Sequence, residues 1–142
     1  MLFLELTYCS LFPSHDRWGH ARDYVKGMWS MLQQDEPDDY ILATGIQTTI
    51  RQFLEIAFKK CNMNIVWDGN GINEKGYINN KIVVDISPKY FRPIDCVNLV
   101  GNPQKALSKL NWKASTTLNE LIYEMVFADI SREKMLKCFN NN

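Results

Sequence analysis

The chain predicts an α/β fold, on three observations. A helical apolar stripe begins at Ala21, a short and almost wholly apolar run follows at Tyr40-Ile41-Leu42-Ala43, and a capping box at Thr49 announces a second helix. Helix, strand, helix and strand then alternate as far as Ile65-Val66-Trp67, the order of an α/β architecture with a parallel strand. With no internal repeat and no low-complexity linker, the 142 residues read as one compact unit that buries one modest core.

Each element has its own signal. Ala21, Tyr24, Val25, Met28, Trp29 and Leu32 follow i, i+3, i+4 spacing and form the inward stripe of the first helix, which Pro37 ends at the latest. Tyr40–Ala43 suits a strand buried on both faces, closed by Thr44-Gly45. In Thr49-Ile50-Arg51-Gln52 a hydroxyl and an amide side chain can satisfy two backbone donors that a helix start leaves open. Ile50, Phe53, Leu54, Ala57 and Phe58 form the buried face of that second helix. Asp68 to Gly76 is rich in Gly and Asn but leads toward the strand Lys81-Ile82-Val83-Val84-Asp85. It reads as a long exposed turn rather than a phosphate cradle, which needs backbone amides at a helix start. Pro103 opens a short helix ending near Leu110, and Thr117-Leu118-Asn119-Glu120 is a second capping box. It starts a helix with Leu118, Leu121, Ile122, Met125 and Val126 inward, and the closing Asn140-Asn141-Asn142 is expected to fray.

Composition narrows the functions. Sixteen basic and sixteen acidic residues cancel, so no global field favours nucleic acid or an anionic membrane, and anion binding must come from a few local arginines. Cys9, Cys61, Cys96 and Cys138 lack Cys-x-x-Cys spacing and are expected to be free thiols without a zinc site. His15 and His20 are the only histidines, so no metal cage is expected. The opening Met1-Leu2-Phe3-Leu4-Glu5-Leu6 lacks a basic start and is interrupted by a carboxylate, so it does not read as a signal peptide. Nothing approaches a transmembrane span, and the cytoplasm is the expected location.

Among the arginines, Arg92 is the strongest candidate for binding. Pro93 forces it into extended backbone, so it projects a planar guanidinium fork suited to two phosphate oxygens. Asp95 can accept from two ribose hydroxyls; on spacing alone the two could equally be a surface ion pair. Arg51 lies in the first turn of its helix, where a cation opposes the helix dipole, so it is either a solvated arginine or an anion contact. His20 either reaches a nucleotide or bonds a backbone carbonyl, and Asp23 suits the positive end of the helix. Trp67 and Trp112 read as core or edge packing, since neither lies in a basic stripe.

Three segments carry a family resemblance: Trp18-Gly19-His20-Ala21-Arg22-Asp23-Tyr24-Val25, Tyr90-Phe91-Arg92-Pro93-Ile94-Asp95 and Lys109-Leu110-Asn111-Trp112-Lys113. In that order, and from about Trp18 to Ile130, the chain resembles the C-terminal half of the GDP-mannose 4,6-dehydratases. These are NADP-dependent members of the extended short-chain dehydrogenase/reductase superfamily. The resemblance implies the C-terminal, substrate-binding part of a Rossmann-type enzyme without its N-terminal dinucleotide-binding half. Residues 1–16 stand outside it and 17–142 form the substrate-binding portion.

The resemblance also implies residue roles. Arg92 would grip the substrate diphosphate and Asp95 the ribose, Asp95 standing where the dehydratases usually have Glu. The family usually reads Arg-Asp-Trp-Gly-His-Ala, with the arginine on the diphosphate; here the order is Asp16-Arg17, which makes Arg17 the corresponding candidate. His20 matches in place, and Thr49-Ile50-Arg51-Gln52-Phe53 parallels the family's Ser/Thr-Val-Arg-Glu-Phe, which adds Arg51. The complete enzymes convert GDP-mannose to GDP-4-dehydro-6-deoxy-mannose, a lyase step toward GDP-fucose, by taking a hydride into NADP and returning it. A Gly-rich dinucleotide loop and a helical Tyr-x-x-x-Lys pair would carry that chemistry, and neither occurs here in the right context. No catalytic residue is therefore assigned, and the chain is expected to be inactive alone. The alternative is a non-catalytic nucleotide-sugar-binding or subunit-interaction remnant, as a homo-oligomer or in association with an intact dehydratase.

Overall fold

A computed structural model describes all of residues 18–89 and 100–137, and the backbone of 7–9, 15–16 and 138–140. The elements run β1 (Thr7–Cys9), β2 (His15–Asp16), α1 (Ala21–Met31), β3 (Thr48–Thr49), α2 (Ile50–Lys60), β4 (Val66–Asp68), β5 (Lys75–Ile78), β6 (Lys81–Ile86), α3 (Gln104–Leu110) and α4 (Leu118–Asn140). They form two compact units rather than the single one expected, drawn from 1–16 with 49–97 and from 17–48 with 98–142. Buried apolar residues divide between them, Ile78, Val83, Val84 and Ile86 in the first and Ala43, Ala106, Trp112 and Ile122 in the second.

The first unit is a mixed four-stranded sheet in the order β1-β6-β5-β4. The parallel pairing is β1 on β6, with Thr7 opposite Val84; β4 on β5 and β5 on β6 are antiparallel. The strand at 65–67 is thus half of an antiparallel pair, not the parallel strand expected. Strand β6 sits between two neighbours, and its adjacent Val83 and Val84 are both 1 % exposed, so it is covered on both faces. Ile78, Val83 and Val84 make the core, against which Leu54 and Phe58 of α2 pack with Met63, Ile65 and Trp67. The capping box forms as the sequence predicts: Gln52 N–H donates to Thr49 Oγ1 and Thr49 N–H to Gln52 Oε1, each at 3.0 Å.

Strand β5 has no place in the sequence reading, which ends its long turn at Gly76. It turns back into β6 through Asn79 and Asn80, with φ of 49° and 62°, and Ile78 pairs with Lys81. Two left-handed residues make the turn whose twist suits a hairpin, and asparagine tolerates that region. The letters Tyr77-Ile78-Asn79-Asn80-Lys81 do have Tyr-x-x-x-Lys spacing, but they span this turn and no helix presents the pair.

The second unit is organised around α1, and here the expected inward stripe is overturned. Val25, Met28, Trp29 and Leu32 are exposed, while the buried residues of α1 are Asp23 and Gly27. Close packing decides the face. A Cβ at Gly27 would lie 2.7 Å from Leu42 Cδ1 and 2.9 Å from Trp112 Nε1, so only glycine lets the helix approach this near. Trp112 is fixed by donating from Nε1 to the Asp23 carbonyl at 2.7 Å. Asn111, at φ 51°, caps α3 in the left-handed region and directs Trp112 into that position. Asp23 itself is 2 % exposed, and its carboxylate accepts from Ser115 Oγ at 2.8 Å, Thr116 N–H at 2.8 Å and Ser115 N–H at 3.1 Å.

Tyr40–Ala43, expected as a strand, runs through the second unit without joining a ladder among the described residues. Its apolar side chains instead meet Gly101, where a Cβ would lie 2.7 Å from Ala43 Cβ and 3.2 Å from Ile41 Cγ2. The second capping box forms at Thr117 and Glu120. Of the face expected inward on α4, Ile122 is fully buried, but Met125 is exposed. Among the described residues, no helix is long and apolar enough to cross a membrane.

Two measurements test these packing arguments. Burial pushes the Asp23 pKa up, but hydrogen bonds from the Thr116 backbone, the Ser115 hydroxyl and their neighbours outweigh it and hold the carboxyl at about 2, against an ordinary 3.8. A depressed carboxyl contributes stability that is complete above its unfolded pKa and is lost as pH falls through its folded one. The wild type should therefore lose more stability between about pH 4 and pH 2 than Asp23→Asn, which at neutral pH should be less stable by roughly 1.5–3 kcal/mol. Parallel melting curves across that window would remove this role from Asp23. In the hairpin, Asn80→Val should cost about 1–2 kcal/mol in urea unfolding and Asn80→Gly should cost nothing, because only the former opposes a left-handed φ.

Candidate functional site

His20 and Arg51 are the two sequence-derived site residues that the structure describes. Arg17, Arg92 and Asp95 lie outside the described residues.

His20 is the N-cap of α1. Its Nδ1 accepts from Arg22 N–H at 3.0 Å, and its Nε2 lies 3.2 Å from Glu124 Oε2 on α4. An acceptor Nδ1 places the ring proton on Nε2, where it can be donated to that carboxylate. Arg22 Nη2 lies 3.7 Å from the other oxygen of Glu124. The ring thus bonds a backbone N–H and a carboxylate, whereas the sequence suggests a nucleotide or a backbone carbonyl as its partner. The position accounts for the residue type, since an imidazole offers both an acceptor to a helix start and a donor to a second element.

Arg51, in the first turn of α2, is half-buried rather than fully solvated. Its guanidinium forms an ion pair with Glu74, whose side chain is buried, and lies 5.0 Å from the centre of the Trp67 ring. Trp67 in turn donates from Nε1 to Glu55 Oε1 at 3.0 Å, which sets its ring beside α2. A cation at a helix start is unfavourable by itself, but the Glu74 carboxylate and the aromatic face compensate it. A ligand phosphate at Arg51 would share or replace the Glu74 contact. The sequence carries no local sign of this pair, because Glu74 lies across the Gly-rich connection that leads into β5.

That connection, which the sequence predicts to be a turn rather than a phosphate cradle, has no cradle geometry. Gly69, at φ +85°, lies so close to the Asn73 carbonyl that a Cβ would clash at 2.4 Å, and the loop then makes one 3-10 turn over Gly71–Asn73 before β5. Its amides therefore do not converge at a helix start, and this loop is not suited to a dinucleotide pyrophosphate. In the second unit a cleft of about 290 Å³ is lined by Trp18, Thr44, Ile46, Thr48 and Lys113–Leu118. Much of its polar lining has structural partners: the Ser115 hydroxyl donates to Asp23, that of Thr117 to Glu120 and that of Thr44 to the Ile46 carbonyl. Among the described residues, no group of three or more His, Cys, Asp or Glu side chains could hold a metal ion. Cys61 is a free cysteine whose thiol pKa is pushed up by burial, which disfavours the reactive thiolate.

Comparison with known proteins gives the lineage. A UDP-glucose 4-epimerase from Bifidobacterium longum, solved in complex with NAD+ and UDP, matches 78% of this chain and 28% of its own, with a TM-score of 0.56 and 19% identity. At that identity the likeness speaks for the α/β fold alone. The sequence is 45% identical over 129 residues to a GDP-mannose 4,6-dehydratase of Sinorhizobium fredii (strain HH103), covering 89% of this chain and 37% of that protein. It is 46% identical over 115 residues to GDP-mannose 4,6 dehydratase 2 of Caenorhabditis elegans, covering 80% and 30%, and 40% identical over 135 residues to the Vibrio cholerae dehydratase, covering 84% and 36%. The chain thus spans about a third of the length of the curated relatives it matches. The family model described as GDP-mannose 4,6 dehydratase matches residues 6–125, most of the chain, and the chain belongs to that family.

Proposed function

We propose that this chain contributes GDP-sugar binding to a GDP-mannose 4,6-dehydratase, as part of an enzyme that converts GDP-mannose to GDP-4-dehydro-6-deoxy-mannose. The observation that carries this reading is the family match across residues 6–125, which includes the Arg92-Pro93-Ile94-Asp95 segment. Residues 17–142 are the nucleotide-sugar portion in this reading. Arg92 holds the diphosphate with its guanidinium fork, Asp95 accepts from the ribose, and Arg17, His20 and Arg51 are the further substrate contacts. NADP serves the complete proteins, and the parts that bind and use it belong to the rest of such an enzyme. This chain has no assigned catalytic residue and is not expected to turn over by itself. Its setting is cytoplasmic, with a homo-oligomer or an intact dehydratase as protein partner.

Calorimetry with GDP-mannose on the folded chain tests the binding claim; the absence of heat at millimolar ligand would count against it. Arg92→Ala should lose a charge-assisted bond and about one to two decades of affinity, roughly 1.5–3 kcal/mol. Arg92→Lys should recover part of the loss, because a point charge does not reproduce the fork. Arg132→Ala, whose guanidinium is exposed on α4 and pairs with Asp129, should change nothing. Equal affinities for wild type and Arg92→Ala would place the site elsewhere.

Arg51 is tested through stability and binding together. Arg51→Ala strands the buried Glu74 carboxylate and should destabilise the chain by about 3 kcal/mol, and adding Glu74→Gln should restore a good part of it. If Arg51 also serves the ligand, the double variant regains stability but not affinity for GDP-mannose. Recovery of both would leave Arg51 with the structural role only.

A further inference from the structure

Helix α4 carries a second apolar line besides the one that holds it in its own unit. Ile122 is fully buried, but Tyr123 and Phe127 are 57 and 61 % exposed, and their rings stack with centroids 6.1 Å apart. The spacing continues in both directions. Glu120, Tyr123, Phe127, Ile130, Lys134 and Lys137 follow one another at steps of three, four, three, four and three residues, the repeat of a coiled-coil seam. At about 100° per residue they lie along one face, roughly 110° around the helix from Ile122. Ile130 is half-buried and the other five are exposed. A single exposed aromatic needs no explanation, whereas apolar side chains at heptad spacing on a helix anchored elsewhere suit a second helix.

The charges on the seam say which helix. It is acidic at Glu120, apolar in the middle and basic at Lys134 and Lys137. Both bonds that Thr117 donates in the capping box end on Glu120 Oε2, which leaves Oε1 to an outside cation. Neither lysine ammonium pairs with a carboxylate among the described residues. A face ordered acid, apolar, base is its own complement when turned end for end. Pairing about a two-fold axis between Ala128 and Asp129 sets Glu120 opposite Lys137, Tyr123 opposite Lys134 and Phe127 opposite Ile130. A parallel pair would instead set Glu120 against Glu120 and each lysine against its own copy, which is repulsive. We propose that α4 pairs antiparallel with α4 of a second copy of this chain along the seam from Glu120 to Lys137. A strip about 26 Å long and about 10 Å wide covers roughly 260 Å² per partner, against about 800 Å² for a stable pair, so this dimer comes apart on dilution. The proposal goes beyond GDP-sugar binding and does not depend on it.

Sedimentation of the whole 142-residue chain at rising concentration tests the pairing. The wild type should pass from monomer to dimer at about 0.1–1 mM, and added salt should weaken the dimer severalfold, because its ends are joined by charges. Tyr123→Ser/Phe127→Ser should raise the dissociation constant by about tenfold or more. Lys134→Glu/Lys137→Glu should do the same by setting like charges together. Met135→Glu, at a position 59 % exposed on α4 but off the seam, should leave the dimer unchanged. Each variant, when dilute, should melt within about 2–3 °C of the wild type, because the replaced side chains are exposed. A chain that stays monomeric at about 1 mM would overturn the proposal, as would a dimer that salt tightens, the sign of parallel pairing. A dimer that both double variants leave intact would also overturn it, and its loss on Trp29→Glu would move the contact to α1.

Discussion

The second unit depends on one buried carboxylate. Asp23 sits in the first turn of α1 and gathers two backbone N–H groups and a hydroxyl from Ser115 and Thr116, which lead into α4. Its own carbonyl takes the Trp112 indole. One residue thus fixes the start of α1, the turn after α3 and the approach to α4. A buried carboxylate without such donors would be strongly unfavourable, so the geometry of the 111–117 segment is what permits Asp23 to be there at all. Gly27, one turn later, follows from the same constraint, because the held Trp112 leaves no room for a Cβ.

The sequence showed some of this and hid the rest for identifiable reasons. Both capping boxes were legible because every participating atom lies within three residues of its partner. The helical period found α1, but period alone does not say which face is covered. The apolar stripe suggests an inward face, whereas the buried face is set by distant contacts: Trp112 and Ser115 for Asp23, and Leu42 with Trp112 for Gly27. Asn79-Asn80 was a usable hairpin signal between apolar residues, overshadowed by the Gly-rich stretch just before it. Tyr40–Ala43 had strand composition, but a strand is defined by its partner, and composition names none.

The candidate site divides along the same line. His20 and Arg51 could be singled out by residue type and family pattern, but their partners could not. Glu124 lies 104 residues from His20, and Glu74 reaches Arg51 only because β5 returns beside α2. Each pair gives its residue a structural occupation independent of any ligand. A functional assignment at either position must therefore be weighed against what that residue already does in the fold.

The two units are interleaved along the chain, the first drawn from 1–16 and 49–97 and the second from 17–48 and 98–142. A polypeptide leaves the ribosome from its N-terminus, so Thr7 and Asp23 emerge long before the residues that complete them, Val84 for the one and Ser115 and Thr116 for the other. The hairpin of β5 and β6 closes over a two-residue turn and can form as soon as it emerges, ahead of the β1 pairing that joins Thr7 to Val84. The second unit closes last, since α1 must wait with its carboxylate hydrated until the final third has been synthesised. Neither unit corresponds to a continuous stretch of message, and a stalled or shortened translation product would leave both unfinished.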